Sequence, residues 1–153
     1  MSAGVRVLVS ADDDATAAIP AVEDEARELV RSLSDALPAE AELSVYLVRD
    51  ERMRELNETW REQDRPTDVL SFSQEGDGPG GETLLGDVVI NLDAAQRQAT
   101  EHDLEPAEEI RFLLIHGVLH LLGFDHHTDD ERSSMEAEEQ RLWESLGGEG
   151  TIR

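Results

Sequence analysis

The sequence predicts an α+β fold, a small mixed β-sheet of about four strands covered by about five helices, and three observations point there. The chain has 153 residues, the length of one domain. Short β-branched runs alternate with amphipathic segments and then give way to helical segments alone. No internal repeat and no long linker divides the chain, so residues 1–153 read as a single domain. A chain of this size buries roughly 68–70% of its unfolded surface, enough for a core without disulfides.

The elements follow in order. Val5–Ser10 alternates and is rich in valine, as a first strand should be. Pro20 opens a helix through Ala36, with Val22, Ala26, Leu29, Val30 and Leu33 on one face and Glu23, Asp24 and Glu25 at its positive end. Pro38 closes it, and Leu43–Val48 reads as a second strand. Asp50 is placed to cap a short helix carrying Met53, Leu56 and Trp60. Arg65-Pro66-Thr67 breaks the chain before a short buried strand, Asp68–Phe72. In Gln74–Gly81 five of eight positions are Gly or Pro, which marks a loop. Leu84–Asn91 is a fourth strand leading into a helix from Leu92 to about Thr100. Pro106 starts a further helix that reaches Leu122 and stops at Gly123. A last helix, Asp129 to Leu146, turns Met135, Leu142, Trp143 and Leu146 inward.

Composition removes several classes of function. There is no cysteine, so a disulfide scaffold, an iron–sulfur cluster, a Cys-ligated zinc and a cysteine nucleophile are all excluded. The net charge is −23, and all 13 basic residues are Arg. At 39% apolar residues in clear periods the chain is not a disordered acidic tail. It reads as a globular protein with an acidic coat suited to high salt, and such a coat disfavours nucleic acid unless a local cleft of arginine and metal draws it in. Residues 1–20 lack the apolar core of a signal peptide, and Phe112–Phe124 is too short to span a bilayer, so a cytoplasmic location is expected.

Four of the five histidines lie between positions 116 and 127. His116 and His120 are four apart on a predicted helix, which puts both rings on one face about 6 Å apart along the axis. That spacing suits two nitrogens on one zinc at about 2.0–2.1 Å. Gly123 can take the left-handed conformation that turns the chain back, so that His126 closes a three-nitrogen site with an open fourth position. The alternative is a pair of core histidines. Two buried imidazoles on a helix apolar nearly all round are costly unless bonded, and the third histidine past a glycine turn favours metal. The spacing is that of a metzincin protease, except that Gly117 stands where the general-base Glu belongs. Glycine takes no proton, so peptide hydrolysis by that route is unsupported.

The segment His116-Gly117-Val118-Leu119-His120-Leu121-Leu122-Gly123-Phe124-Asp125-His126 resembles the signature of the bacterial YbeY family, with Phe124 where Tyr is usual. Trp60–Phe72, containing Arg61, Pro66-Thr67-Asp68 and Leu70-Ser71-Phe72, is similar to a second block of that family, with Ser73 where Pro is common. Leu85–Ile90 matches a third block, and Met135-Glu136 through Leu146-Gly147 resembles the C-terminal helix.

The resemblance implies a zinc-dependent endoribonuclease of single-stranded RNA, acting in maturation of the 3′ end of 16S rRNA and in ribosome quality control. It implies zinc on His116, His120 and His126, with Arg61 engaging a phosphate, and partners among the ribosome and small-subunit assembly proteins. No DNA and no membrane partner are expected. Arg49, Arg52, Arg54, Arg61 and Arg65 are the arginines available for a local cleft, although acidic residues interleave them. Asp125 or His127 could carry a proton. Two other readings stand beside this one: a metallohydrolase of peptides or small esters, and a non-enzymatic assembly factor whose zinc is closed by His127, Asp125 or His102.

Overall fold

The computed structural model describes residues 6–33, 37, 41–74 and 83–150. The elements run β1 (Arg6–Ala11), a 3-10 helix (Asp13–Ala18), α1 (Ile19–Ser32), β2 (Ala41–Val48), α2 (Asp50–Arg61), β3 (Val69–Ser73), β4 (Thr83–Asn91), α3 (Leu92–Glu101), α4 (Pro106–Leu121) and α5 (Asp129–Ser145). The sheet order is β1-β2-β4-β3. The β1–β2 and β2–β4 pairs are parallel and β3–β4 is antiparallel, so the sheet is mixed and β1 and β3 are its edges.

Strand alternation divides the apolar residues between two faces. Ala41, Leu43, Val45 and Leu47 of β2 join Val88 and Ile90 of β4 in the main core, beneath Leu29 of α1, Leu113 and Leu114 of α4, and Met135 and Leu142 of α5. On the opposite face Leu70 and Val89 meet Val48 and Met53 in a smaller cluster, with Tyr46, Leu56 and Phe72 packed against it. Neither cluster includes Leu8 of β1, which remains exposed.

The expected helical stripes are present: Val22, Ala26, Leu29, Val30 and Leu33 are all buried, as are Met135, Leu142 and Trp143. Several boundaries differ. Regular structure in α1 ends at Ser32, and residues 34–36, like Val5, Pro38 and most of the expected 74–81 loop, lie outside the described residues. The 3-10 helix was not expected; its sequence, Asp-Asp-Ala-Thr-Ala-Ala, carries no apolar stripe, and only Ala15 is buried. Asp50 is not the cap of α2. Arg49 holds that position, and Asp50 lies in the first turn with its carboxylate taken by Arg97 and Asn91. Its backbone N–H is instead capped across the fold by Asp93 of α3, at 3.0 Å.

β3 is half-buried along most of its length, as an edge strand covered unevenly should be, and only Leu70 is fully buried. Trp60 does not join the core. It is 65% exposed at the end of α2, touching Phe72 edge-on at 6.1 Å.

The elements that carry the histidines are well anchored. Pro106 and a reciprocal Glu105–Glu108 capping box begin α4. A Thr128–Glu131 box begins α5 immediately after the histidine turn.

Candidate metal centre

His116 and His120 project from one face of α4, and their Nε2 atoms are 3.1 Å apart. α4 ends at Leu121, and Gly123 adopts φ +98°, a left-handed conformation that β-carbon sterics disfavour elsewhere. That residue reverses the chain, and the N–H of Phe124 donates back to the Leu119 carbonyl. His126 therefore returns to within 5.3 Å of His120 and 6.2 Å of His116, ring centre to ring centre. One nitrogen from each of the three rings lies within 4.8 Å of the others.

The outer nitrogens fix what the inner ones can do. The Nδ1 of His120 is 3.0 Å from the Phe124 carbonyl, which can only accept, so that nitrogen carries the proton. The Nδ1 of His116 is 2.8 Å from the carboxylate of Glu139, a buried residue of α5. The two Nε2 atoms therefore face each other at 3.1 Å, converging on one point where a cation can be held. Burial, with His116 as the second influence, holds the His120 imidazole below its ordinary pKa, which keeps that lone pair free. The donor set fits a divalent transition metal held by imidazole, in the carboxylate–histidine–metal arrangement common to such sites.

His116 and His120 open onto a cavity of about 380 Å³, whose wall also includes Arg61, Asp68, Ser71, Asp125 and His127. Arg61 reaches it from the end of α2, donating from Nη2 to the Ser71 carbonyl at 2.8 Å and lying 5.4 Å over the Phe72 ring. Of the five arginines between 49 and 65, Arg61 alone lines this cavity. The other four of the arginines available for a local cleft have partners elsewhere. Arg49 binds Asp93, Arg52 reaches Tyr46, Arg54 binds Asp64 and Arg65 binds Gln63. Asp125 and His127 pair at 3.0 Å on the cavity wall, outside the three-nitrogen cluster. The N–H of His126 holds the Asp125 carboxyl below its usual range. His102 lies elsewhere, beside Glu109 at 3.5 Å.

Gly117 has a spatial reason. A β-carbon there would meet Val88 Cγ1 at 2.7 Å and Ser71 Oγ at 3.3 Å, and Ser71 donates to the Gly117 carbonyl at 2.9 Å. The position packs closely on the sheet, so any side chain at 117 would crowd Val88 of β4 and Ser71 of β3.

Sequence reasoning missed Glu139. The available signal was an acid in the apolar stripe of α5, where Met135, Glu139 and Leu142 follow at helical spacing and all three are buried. Asn91 was missed as well. Completely buried, it caps α3 through Oδ1 and ties Asp50 to the Thr67 carbonyl through Nδ2.

The family model of the endoribonuclease YbeY matches residues 9–147. The chain belongs to the YbeY family. A relative from Azorhizobium caulinodans, Endoribonuclease YbeY, is 40% identical over 149 residues, covering 94% of this chain and 93% of its own. Another YbeY, from Syntrophotalea carbinolica, is 44% identical over 127 residues, 80% of this chain and 85% of its own. The solution structure of TM1509 from Thermotoga maritima shares the fold, with a TM-score of 0.57 at 22% identity, covering 96% of this chain and 99% of that one. Among the described residues no helix is long and apolar enough to cross a membrane.

Proposed function

We propose that this chain, as one YbeY-type domain, is a zinc-dependent endoribonuclease that cuts single-stranded RNA during maturation of 16S rRNA, in the cytoplasm and in contact with the assembling small ribosomal subunit. The observation that carries the reading is the three-histidine cluster, with the Nε2 atoms of His116 and His120 at 3.1 Å, and Arg61 on the wall of the cavity those two rings line. Curated relatives of this family bear the name endoribonuclease.

His116, His120 and His126 would hold the metal, each through one ring nitrogen. When bound, a divalent ion there supplies a Lewis acid for a phosphate oxygen and activates the attacking oxygen. The chain's own groups do the rest. Arg61 is braced by Ser71 and Phe72, leaving donors on its other nitrogens for a phosphate. The Asp125–His127 pair on the wall is the protein's own candidate for carrying a proton, while attack by the RNA 2′-hydroxyl would need no carboxylate at position 117. Gly117, which offers no general-base carboxylate, weighs against a protease.

The test is cleavage of a labelled single-stranded RNA by zinc-loaded protein, at low and at multimolar salt, beside Arg61→Ala and His120→Ala. Cleavage by the parent and by neither variant supports the reading. Equal cleavage by all three would trace to a contaminating nuclease. A metal-replete parent that binds RNA without cutting it would point to an assembly factor.

A further inference from the structure

β3 separates two cavities. Ser71 lines the histidine cavity, whereas Phe72 lines the space on the other side of the sheet, toward α2. On that side α2 covers only part of the sheet and leaves a groove of about 680 Å³. Tyr46, Leu56, Trp60 and Phe72 form much of its wall, with Gln74 and Asp87 as polar groups. Trp60 is 65% exposed, and with Phe72 at 65° to it makes an aromatic corner open on one side. The Gln74 amide donates to Asp87 at 2.8 Å, leaving the other carboxylate oxygen as an acceptor.

The two cavities are joined at the sheet edge. Ser73 lines both, and Arg61, the residue after Trp60, lies over the Phe72 ring while lining the histidine side. A strand whose phosphate sits at Arg61 thus has the groove beside it, across one edge strand.

We propose that this groove receives an unpaired nucleobase of the RNA strand held at Arg61, stacked on Trp60; the proposal rests on the ribonuclease reading. A net charge of −23 offers little general attraction for RNA, and what ionic attraction exists weakens steeply with salt. Base–aromatic stacking is tolerant of sequence and needs no net charge on the protein. A base in a duplex has its faces and pairing edge occupied and cannot enter, so the groove would select single strands.

The experiment uses the zinc-loaded full chain and a single-stranded RNA of known cut site, with one abasic ribose moved through the flanking positions. KM and kcat are measured for the parent, Trp60→Ala and Trp60→Phe, and binding is followed in parallel by the anisotropy of a fluorophore on the RNA. At one flanking position, loss of the base should raise the parent's KM roughly five- to 150-fold, with kcat changed much less. Trp60→Ala should suffer a similar loss on intact RNA and no further loss on the abasic strand, while Trp60→Phe recovers part of it. Because Trp60 is exposed, melting of the variants should match the parent. An abasic penalty that persists in Trp60→Ala, or a Trp60→Ala protein with the parent's KM and affinity, overturns the groove and leaves it to a protein partner. A parent that binds without cutting refutes the ribonuclease reading, and the base penalty is then decided from the binding curves. A parent that neither cuts nor binds RNA overturns both.

Discussion

Replacing Glu139 should loosen the metal without touching a ligand. Its carboxylate lies 2.8 Å from His116 Nδ1 and is 9% exposed, so it holds the ring in the tautomer that turns Nε2 toward His120 and raises the basicity of that nitrogen. Loss of such a partner typically weakens metal binding about 10–100-fold, equivalent to about 1.4–2.7 kcal/mol. Glu139→Ala should fall in that range. Glu139→Gln keeps an acceptor for the Nδ1 proton and loses the charge; the difference between a charge-assisted and a neutral hydrogen bond is about 1 kcal/mol, so roughly fivefold is expected. The assay is competition for zinc against a chromophoric chelator, with zinc per chain measured on the same samples and melting of the metal-free proteins as a folding control. The expected order is parent, then Gln, then Ala. Equal zinc affinity in all three would refute the argument that Glu139 positions His116.

Other outcomes follow from the same geometry. Arg61→Ala should lose RNA turnover at unchanged metal content, and metal loss in that variant would contradict its assignment to phosphate. Gly123→Ala should lower stability by about 1–2 kcal/mol, because a β-carbon there meets nothing within 4 Å and the penalty is that of the left-handed backbone alone; an unchanged urea midpoint would contradict this. The folded pKa of His120 lies below its ordinary 6.5, so the unfolded chain binds that proton more readily. The metal-free parent should therefore lose stability relative to His120→Ala as pH falls from 6.5 through the folded value, and gain on acidification would contradict it. The acidic coat predicts melting temperatures that rise with salt as self-repulsion is screened, and indifference to salt would remove that reading.

What was legible in the sequence was periodic or locally spaced. The stripes of α1 and α5 and the alternation of β2 could be read directly because burial on one side of an element leaves a fixed period. The histidine pair was legible for the same reason, and Gly123 announced the turn that brings back His126. The missing parts are contacts between distant segments. Glu139 meets His116 from 23 residues away, and Asp93 caps Asp50 from 43 residues away, with no local spacing to signal either. The arginine run could not show which of its members reaches the cavity, because nearness in sequence says nothing about the partner each side chain finds in the fold. The exposure of Trp60 was not legible from its helical spacing with Met53, because it follows from α2 ending beside an edge strand with too little sheet beyond it to bury an indole.

The decisive measurement is RNA cleavage and bound zinc followed together, as metal is added back to chelator-stripped protein. Cleavage should be absent without metal, rise in proportion to zinc bound and reach its plateau at one ion per chain, with His120→Ala neither binding that ion tightly nor cutting. Full cleavage by the stripped parent, or by His120→Ala, would contradict the assignment of the chemistry to His116, His120 and His126.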